Sequence, residues 1–404
     1  MERKAFKYII MAGMLLAMNT AGAQDTLVQV PSAPPAPEAK LPGLKQKPES
    51  QHFEAVDRAL ASLDVQLKGL DIQLKDLGRN LSNSFKEFEH DFKGFQSSNL
   101  TEKTKTISRT FKVNSKDKLA IDNQYGNVTI STWAKNEIKV YVIIKAFEST
   151  ENDAQSLLDD VHIGESRQNN TISFKTSIER GRAVWKLIPS GSRQKRGVQV
   201  NYDIYMPSKN PLDITNKYGS ITVADFEGRL NINSSYGSFS AKKLSNPDSR
   251  IESKYGSASV ESLRSGSINV RYGSLTIENA QSLQADVSYA SVKIGRLSGS
   301  GDLNVRYSGK CRIDEIDKGL KDLNINAAYS SLALGFAPSA NFDFDVSVNY
   351  AGFKFDDNKI NIISKTPDEN AKGFHPAKNY KGKYGSGSGS TIKIVSNYGS
   401  VQFL

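Results

Sequence analysis

Glu252 and Asp286 are the only acids in a row of eight positions where a polysaccharide-cleaving repeat protein would need several. The row lies three residues before each of eight regularly spaced tyrosines and reads Thr215, Asn233, Glu252, Asn269, Asp286, Asn304, Asn326 and Ser347. Glycoside hydrolysis needs two carboxylates flanking one bond, and these two do not fall on neighbouring repeats. The four histidines, His52, His90, His162 and His375, are far apart, and no two share a metal-ligand spacing. The "GSGSGS" at 385–390 follows no apolar strand and reads as linker rather than as a phosphate-binding loop. No catalytic, cofactor-binding or metal-binding residue is therefore assigned, and no cofactor is expected. A polysaccharide-active enzyme is the alternative.

Binding chemistry is better represented. One outward row directly precedes the tyrosines: Lys217, Ser235, Lys254, Arg271, Ser288 and Arg306. A second follows them and is rich in hydroxyls: Ser220/Thr222, Ser238/Ser240, Ser257/Ser259 and Ser274/Thr276, then Ser291/Lys293. The basic row suits an acidic polysaccharide or another anionic envelope component. The hydroxyl row suits glycan contact or, as a further alternative, a regular ice-binding lattice. Either row also serves simply as a solvated face. Net charge is +10, and removal of residues 1–23 leaves 50 basic against 42 acidic groups, or +8. Outside the cytoplasm that balance favours polysaccharide or lipid head groups over nucleic acid.

These rows need an element that repeats with the same period. Tyr218, Tyr236, Tyr255, Tyr272, Tyr289, Tyr307, Tyr329 and Tyr350 are spaced 17–22 residues apart, with Tyr398 after a long insertion and Tyr125 in the same context much earlier. A self-similar period near 20 with strand-like patterning points to a solenoid with one repeat per coil. Apolar residues alternate on both sides of each tyrosine, as in Leu212-Ile214 before Tyr218 and Ile221/Val223 after it. Side chains along a strand point alternately to opposite faces, so these form the inward set. Each coil then has two short strands meeting at a Tyr-Gly-Ser or Tyr-Ala-Ser corner. Glycine is expected to take the unusual backbone angles there, and successive tyrosine rings are expected to stack. After Tyr307, Cys311 and Ile313 fall one position late, which predicts a one-residue bulge. Cys311 is the sole cysteine, so no intrachain disulfide forms, and it reads as a small buried apolar side chain.

The remaining organisation is expected as follows. Residues 1–23 read as a secretory signal: Arg3, Lys4 and Lys7, then "YIIMAGMLLAM", then "AGA". Residues 24–50 form a proline-rich linker. Residues 51–97 carry a heptad-patterned amphipathic helix whose seam, over residues 53–81, would self-associate as a coiled coil or dock on the β region. Residues 101–210 form a β-rich region interrupted by a short helix at "ENDAQSLLDDV", with a basic loop from Arg180 to Arg196. Residues 211–404 hold the solenoid repeats, with an insertion at about 356–390. No segment after the signal is apolar enough to span a membrane. The chain is expected to be exported, to periplasm, outer surface or medium.

"NKYGSITV", "SKYGSASV" and "VRYGSLTI", after "IDNQYGNVTISTW", resemble the bacterial putative-adhesin β-solenoid family over roughly residues 105–404. The resemblance implies an exported, non-enzymatic envelope protein acting as adhesin or scaffold. The fold class expected is mainly β: a two-strand-per-coil β-solenoid with a preceding β-rich region and an N-terminal amphipathic helix.

Overall fold

The computed structural model describes residues 100–179, 197–368, 371, 373–387 and 390–404. Residues 1–50, the heptad segment 51–97 and the whole basic loop from Arg180 to Arg196 lie outside the described residues. Within them the chain is mainly β, and twenty strands join one continuous hydrogen-bonded network.

The strands fall into two ladders. In the first, β2 (Lys118–Gln124), β8 (Leu212–Lys217), β10 (Leu230–Ser235) and β12 (Ser249–Lys254) pair in parallel and in register, and β12 continues onto residues 266–271 of β13 (Ser257–Ile316). In the second, β7 (Gly197–Pro207), β3 (Val128–Trp133), β9 (Ile221–Val223) and β11 (Phe239–Leu244) do the same, ending on the start of β13. β13 is extended over 60 residues, and its three tyrosines stack one on the next, so it winds back over itself repeatedly. β14 (Asp322–Phe336) pairs with β13 in both ladders. The pairing slips between Arg306 and Gly309, which is the bulge expected after Tyr307.

Alternation builds the core. Leu212, Ile214, Ile221 and Val223 are buried, as are their equivalents Ile268, Val270, Leu275 and Ile277. Cys311 takes an inward position, is wholly buried, and has its thiol pushed up to about 12 by that burial.

Both ends are closed by antiparallel strands. At one end β1 (Thr101–Lys112) pairs with β4 (Glu137–Glu148), and β5 (Val161–Gln168) with β6 (Thr171–Ile178). β6 leads parallel into β2, and β4 leads antiparallel into β7. Helix α1 (Glu151–Asp159) joins β4 to β5; the Thr150 hydroxyl caps it by accepting from the Asp153 amide, and Ala154, Leu157 and Leu158 are its buried face. At the other end the insertion supplies β17 (Ile360–Thr366) and β18 (Ala377–Tyr384), which pair with each other and through β18 with β15 (Phe342–Asn349). Edge strands expose unpaired backbone groups, and the charged residues of β1 and β5 discourage another chain from joining there.

One expectation about order fails. Tyr398 does not follow Tyr350 at the end of the stack. β19 (Thr391–Asn397) lies between β14 and β15, and β20 (Val401–Phe403) between β14 and β16 (Phe353–Lys354). The later segment slots in because Ile392, Ile394, Val401 and Phe403 repeat the inward pattern of its two neighbours.

Candidate functional site

The tyrosine corner organises every outward row. Ten rings form one continuous stack, in the order 125, 218, 236, 255, 272, 289, 307, 329, 398 and 350. Neighbouring centroids lie 4.8–5.2 Å apart and planes tilt by 2–13°. The stacking expectation holds, but the backbone reasoning needs correction. The residues with positive φ are the ten tyrosines themselves, at 49–61°, while the glycine that follows takes an ordinary angle. Glycine is needed for closeness: a Cβ on Gly219, Gly237, Gly256 or Gly273 would run into the carbonyl of the preceding corner. Left-handed angles cost an L-residue roughly 1–2 kcal/mol. Two stacked neighbours offset that at ~0.5–1.5 kcal/mol each.

Behind the corner sits a polar column within the core. The buried Asn216 donates its amide to the carbonyls of Gly126 and Gly219, both at 2.9 Å. Asn123 donates to Val200 O at 3.0 Å and accepts from the Thr176 hydroxyl, which also pairs with the Tyr202 hydroxyl at 2.9 Å. Burial pushes the Tyr202 phenol up to about 12. These groups satisfy corner carbonyls that would otherwise be buried alone.

The structure aligns the basic row but pairs part of it. Lys254 is the register partner of Arg271 on one side and of Ser235 on the other, and Ser235 is also partner to Lys217. Lys254 forms an ion pair with Glu252 at 2.9 Å, and Arg306 forms one with Asp286 at 2.9 Å. The two carboxylates singled out from the sequence are thus partners of the basic row. Lys217 and Arg271 are exposed and face solvent, with no ion-pair partner among the described residues.

The hydroxyl row is a true column. Thr222 pairs in register with Ser240, and Ser240 with Ser259. The Ser220 and Ser238 hydroxyls hydrogen-bond each other at 2.8 Å, and Ser240 donates to Thr222 at 3.4 Å. Ser257, Ser274 and Thr276 continue outward on later turns, each half-buried. Part of the lattice therefore bonds to itself.

Sequence reasoning missed where this column leads. Thr129 is the register partner of Thr222, and on its other side pairs with Asp203. Two residues further along the same strands lies an aromatic patch. The Tyr205 ring is 40% exposed and packs 5.6 Å from Trp133 and 6.4 Å from Tyr141. Lys135 Nζ lies 5.2 Å over Trp133, and Lys139 Nζ 4.6 Å over Tyr141. The Trp133 indole N–H is tied down by Glu137 O at 2.7 Å, which fixes the ring. The available signal was alternation: Tyr141 and Tyr205 sit at outward positions of strands otherwise read for their inward residues.

No helix among the described residues is long and apolar enough to cross a membrane. No family model and no curated protein matches this chain. Among solved structures, it is similar to a "putative lipid binding protein" from Parabacteroides distasonis at 11% identity and a TM-score of 0.35, covering 74% of this chain and 96% of that one. It is also similar to a "putative adhesin" from Parabacteroides merdae at 8% identity and a TM-score of 0.35, over 74% and 96%. A "putative cell adhesion protein" from Clostridium sporogenes matches at 11% identity and a TM-score of 0.20, over 74% and 99%. Likenesses of this size carry no argument about what this chain does.

Proposed function

We propose that this chain is an exported, non-enzymatic cell-envelope protein, a two-strand-per-coil β-solenoid that binds surface glycans through its outer faces as an adhesin or scaffold. The observation that carries the reading is the continuous face running from the Ser259–Ser240–Thr222–Thr129 column to the Trp133–Tyr205–Tyr141 patch. Hydroxyls bond to sugar hydroxyls, and flat aromatic faces stack on the apolar faces of pyranose rings. Lys135 and Lys139 above the patch, with Lys217 and Arg271 across the tyrosine corner, favour acidic sugars. The pairing of Glu252 and Asp286 with basic neighbours supports a non-enzymatic role, because each carboxylate already has a partner.

Glycan-array binding at low and physiological salt tests this. Tyr205→Ala should weaken binding roughly tenfold, the loss of one stacking aromatic. Lys254→Ser with Arg271→Ser should lower only acidic-glycan binding, and mainly at low salt, because exposed charges are screened. Ser235 and Ser288 already occupy that row, so the fold should persist. Full binding by both variants sinks the reading. Thermal hysteresis in the parent would move the hydroxyl column to ice binding instead.

A further inference from the structure

A second surface faces away from the tyrosine corner and is assigned nothing above. Where the strands of the first ladder begin, a groove of about 750 Å³ crosses successive turns from Arg229 to Asp322. Its lining follows the register: Asn231 pairs with Arg250, Arg250 with Ser267, and further along Ser300 with Asp322. The recess has a steric cause. At Gly266 a Cβ would stand 2.8 Å from the backbone oxygen of Ser249, and at Gly301 2.6 Å from Leu323 Cδ1, a side-chain end that would have to shift.

The charged and amide groups in this groove are unspent. Among the described residues, the side chains of Arg229, Arg250, Gln284, Asp302 and Asp322 make no hydrogen bond or ion pair. Some outward charges elsewhere on the same ladder pair, as Lys254 does with Glu252 and Lys118 with Asp213, while Lys217 and Arg271 do not. Five strand spacings of ~4.8 Å make the groove roughly 24 Å long. Its volume over that length leaves a channel about one extended chain wide.

We propose that this groove binds a linear, uncharged glycan laid across the turns, about one hexose per turn. The charges select against a polyanion: Arg229 and Arg250 stand with Asp248 at one end, and Asp302 and Asp322 lie at the other, two cations against three carboxylates. The centre, around Ser265, Ser267, Ser282 and Gln284, is neutral and rich in hydrogen-bonding groups. A peptide is disfavoured because the groove offers no deep apolar pocket for alternate side chains, and its strands are paired on both sides, leaving no edge to extend. Arginine, aspartate and glutamine present two-atom forks that match adjacent sugar hydroxyls. This site is independent of the aromatic face, and the two can fail separately.

The test is calorimetric titration of the full chain with β-1,4-linked glucose and N-acetylglucosamine oligomers, from dimer to hexamer, at low and high salt. Affinity should rise with each added unit to about the pentamer and change little with salt. Arg250→Ala with Gln284→Ala should weaken binding by roughly tenfold or more, the loss of charge-assisted hydrogen bonds. Ser267→Tyr, which blocks the middle from outside without disturbing a buried group, should do the same. Tyr205→Ala should leave it unchanged. The inference is overturned if no oligomer binds at millimolar concentration, if affinity is flat beyond the dimer, or if both groove variants bind like the parent.

Discussion

Tyr272 shows how a single residue type can satisfy two demands that usually conflict. Its φ of 58° is strained for any side chain with a Cβ, yet its ring sits 5.0 Å from both Tyr255 and Tyr289. Truncation to alanine keeps the strain and removes both stacks, so Tyr272→Ala should cost about 2–4 kcal/mol in urea unfolding. Tyr272→Gly removes the stacks but also the strain, and should be no less stable than the alanine variant. Elsewhere in a strand glycine is the worse choice by ~0.5–1 kcal/mol. Finding that usual order at residue 272 would refute the account of the corner. The ring column was legible in the sequence because tyrosine recurred at one register position. The division of labour between Tyr and Gly was not. Both belong to the same corner, and only the carbonyl approaching each glycine reveals that closeness, rather than an unusual angle, excludes a side chain.

Among elements, those that bury a face were readable, as was the rim strand β1 at "TISRTFKV", while the rim strands β5 and β17 were not. "EIKVYVIIKAF" and "VQVNYDIYMP" alternate cleanly and became β4 and β7. β5 has one buried residue in eight, and β17 one in seven, so neither carries a period a reader could detect. The place of β19 was hidden for another reason: parallel pairing obeys no sequence order, and an inward pattern fits wherever a vacancy exists. Its central position has a measurable effect. Ile394 is buried between β14 and β15, so Ile394→Ala should cost about 2–4 kcal/mol, as core truncations do. Ile163, half-buried on the rim strand β5, should cost under about 1 kcal/mol on the same change. Equal losses by chemical denaturation would contradict this placement.

At the scale of the whole molecule, one core runs through all the turns, and two of its groups report on it under alkali. Burial raises the phenol of Tyr202 from 10.0 and the thiol of Cys311 from 9.0, each to about 12. Tyr218 and Tyr236 shift the same way, by burial first and neighbouring phenols second. The folded state therefore holds these protons more tightly than the unfolded chain. Their contribution is complete below about pH 9 and is lost as pH rises towards about 12. Melting temperature should fall steadily over that interval, followed by circular dichroism. Cys311 should resist thiol reagents until the same transition exposes it, since the reactive species is the thiolate. Labelling of Cys311 well before unfolding would show a separately opening turn.

The placement of residues 391–403 also sets a timetable. Residues 342–354 emerge from the ribosome earlier, yet the strand surface they pair with in parallel, on β19 and β20, is not yet made. Until then β15 can be held only by the antiparallel hairpin of the insertion, and β14 presents an open parallel edge. The wall is closed by a keystone cut last. Such late closure keeps this part of the chain pliable for longer than the rest.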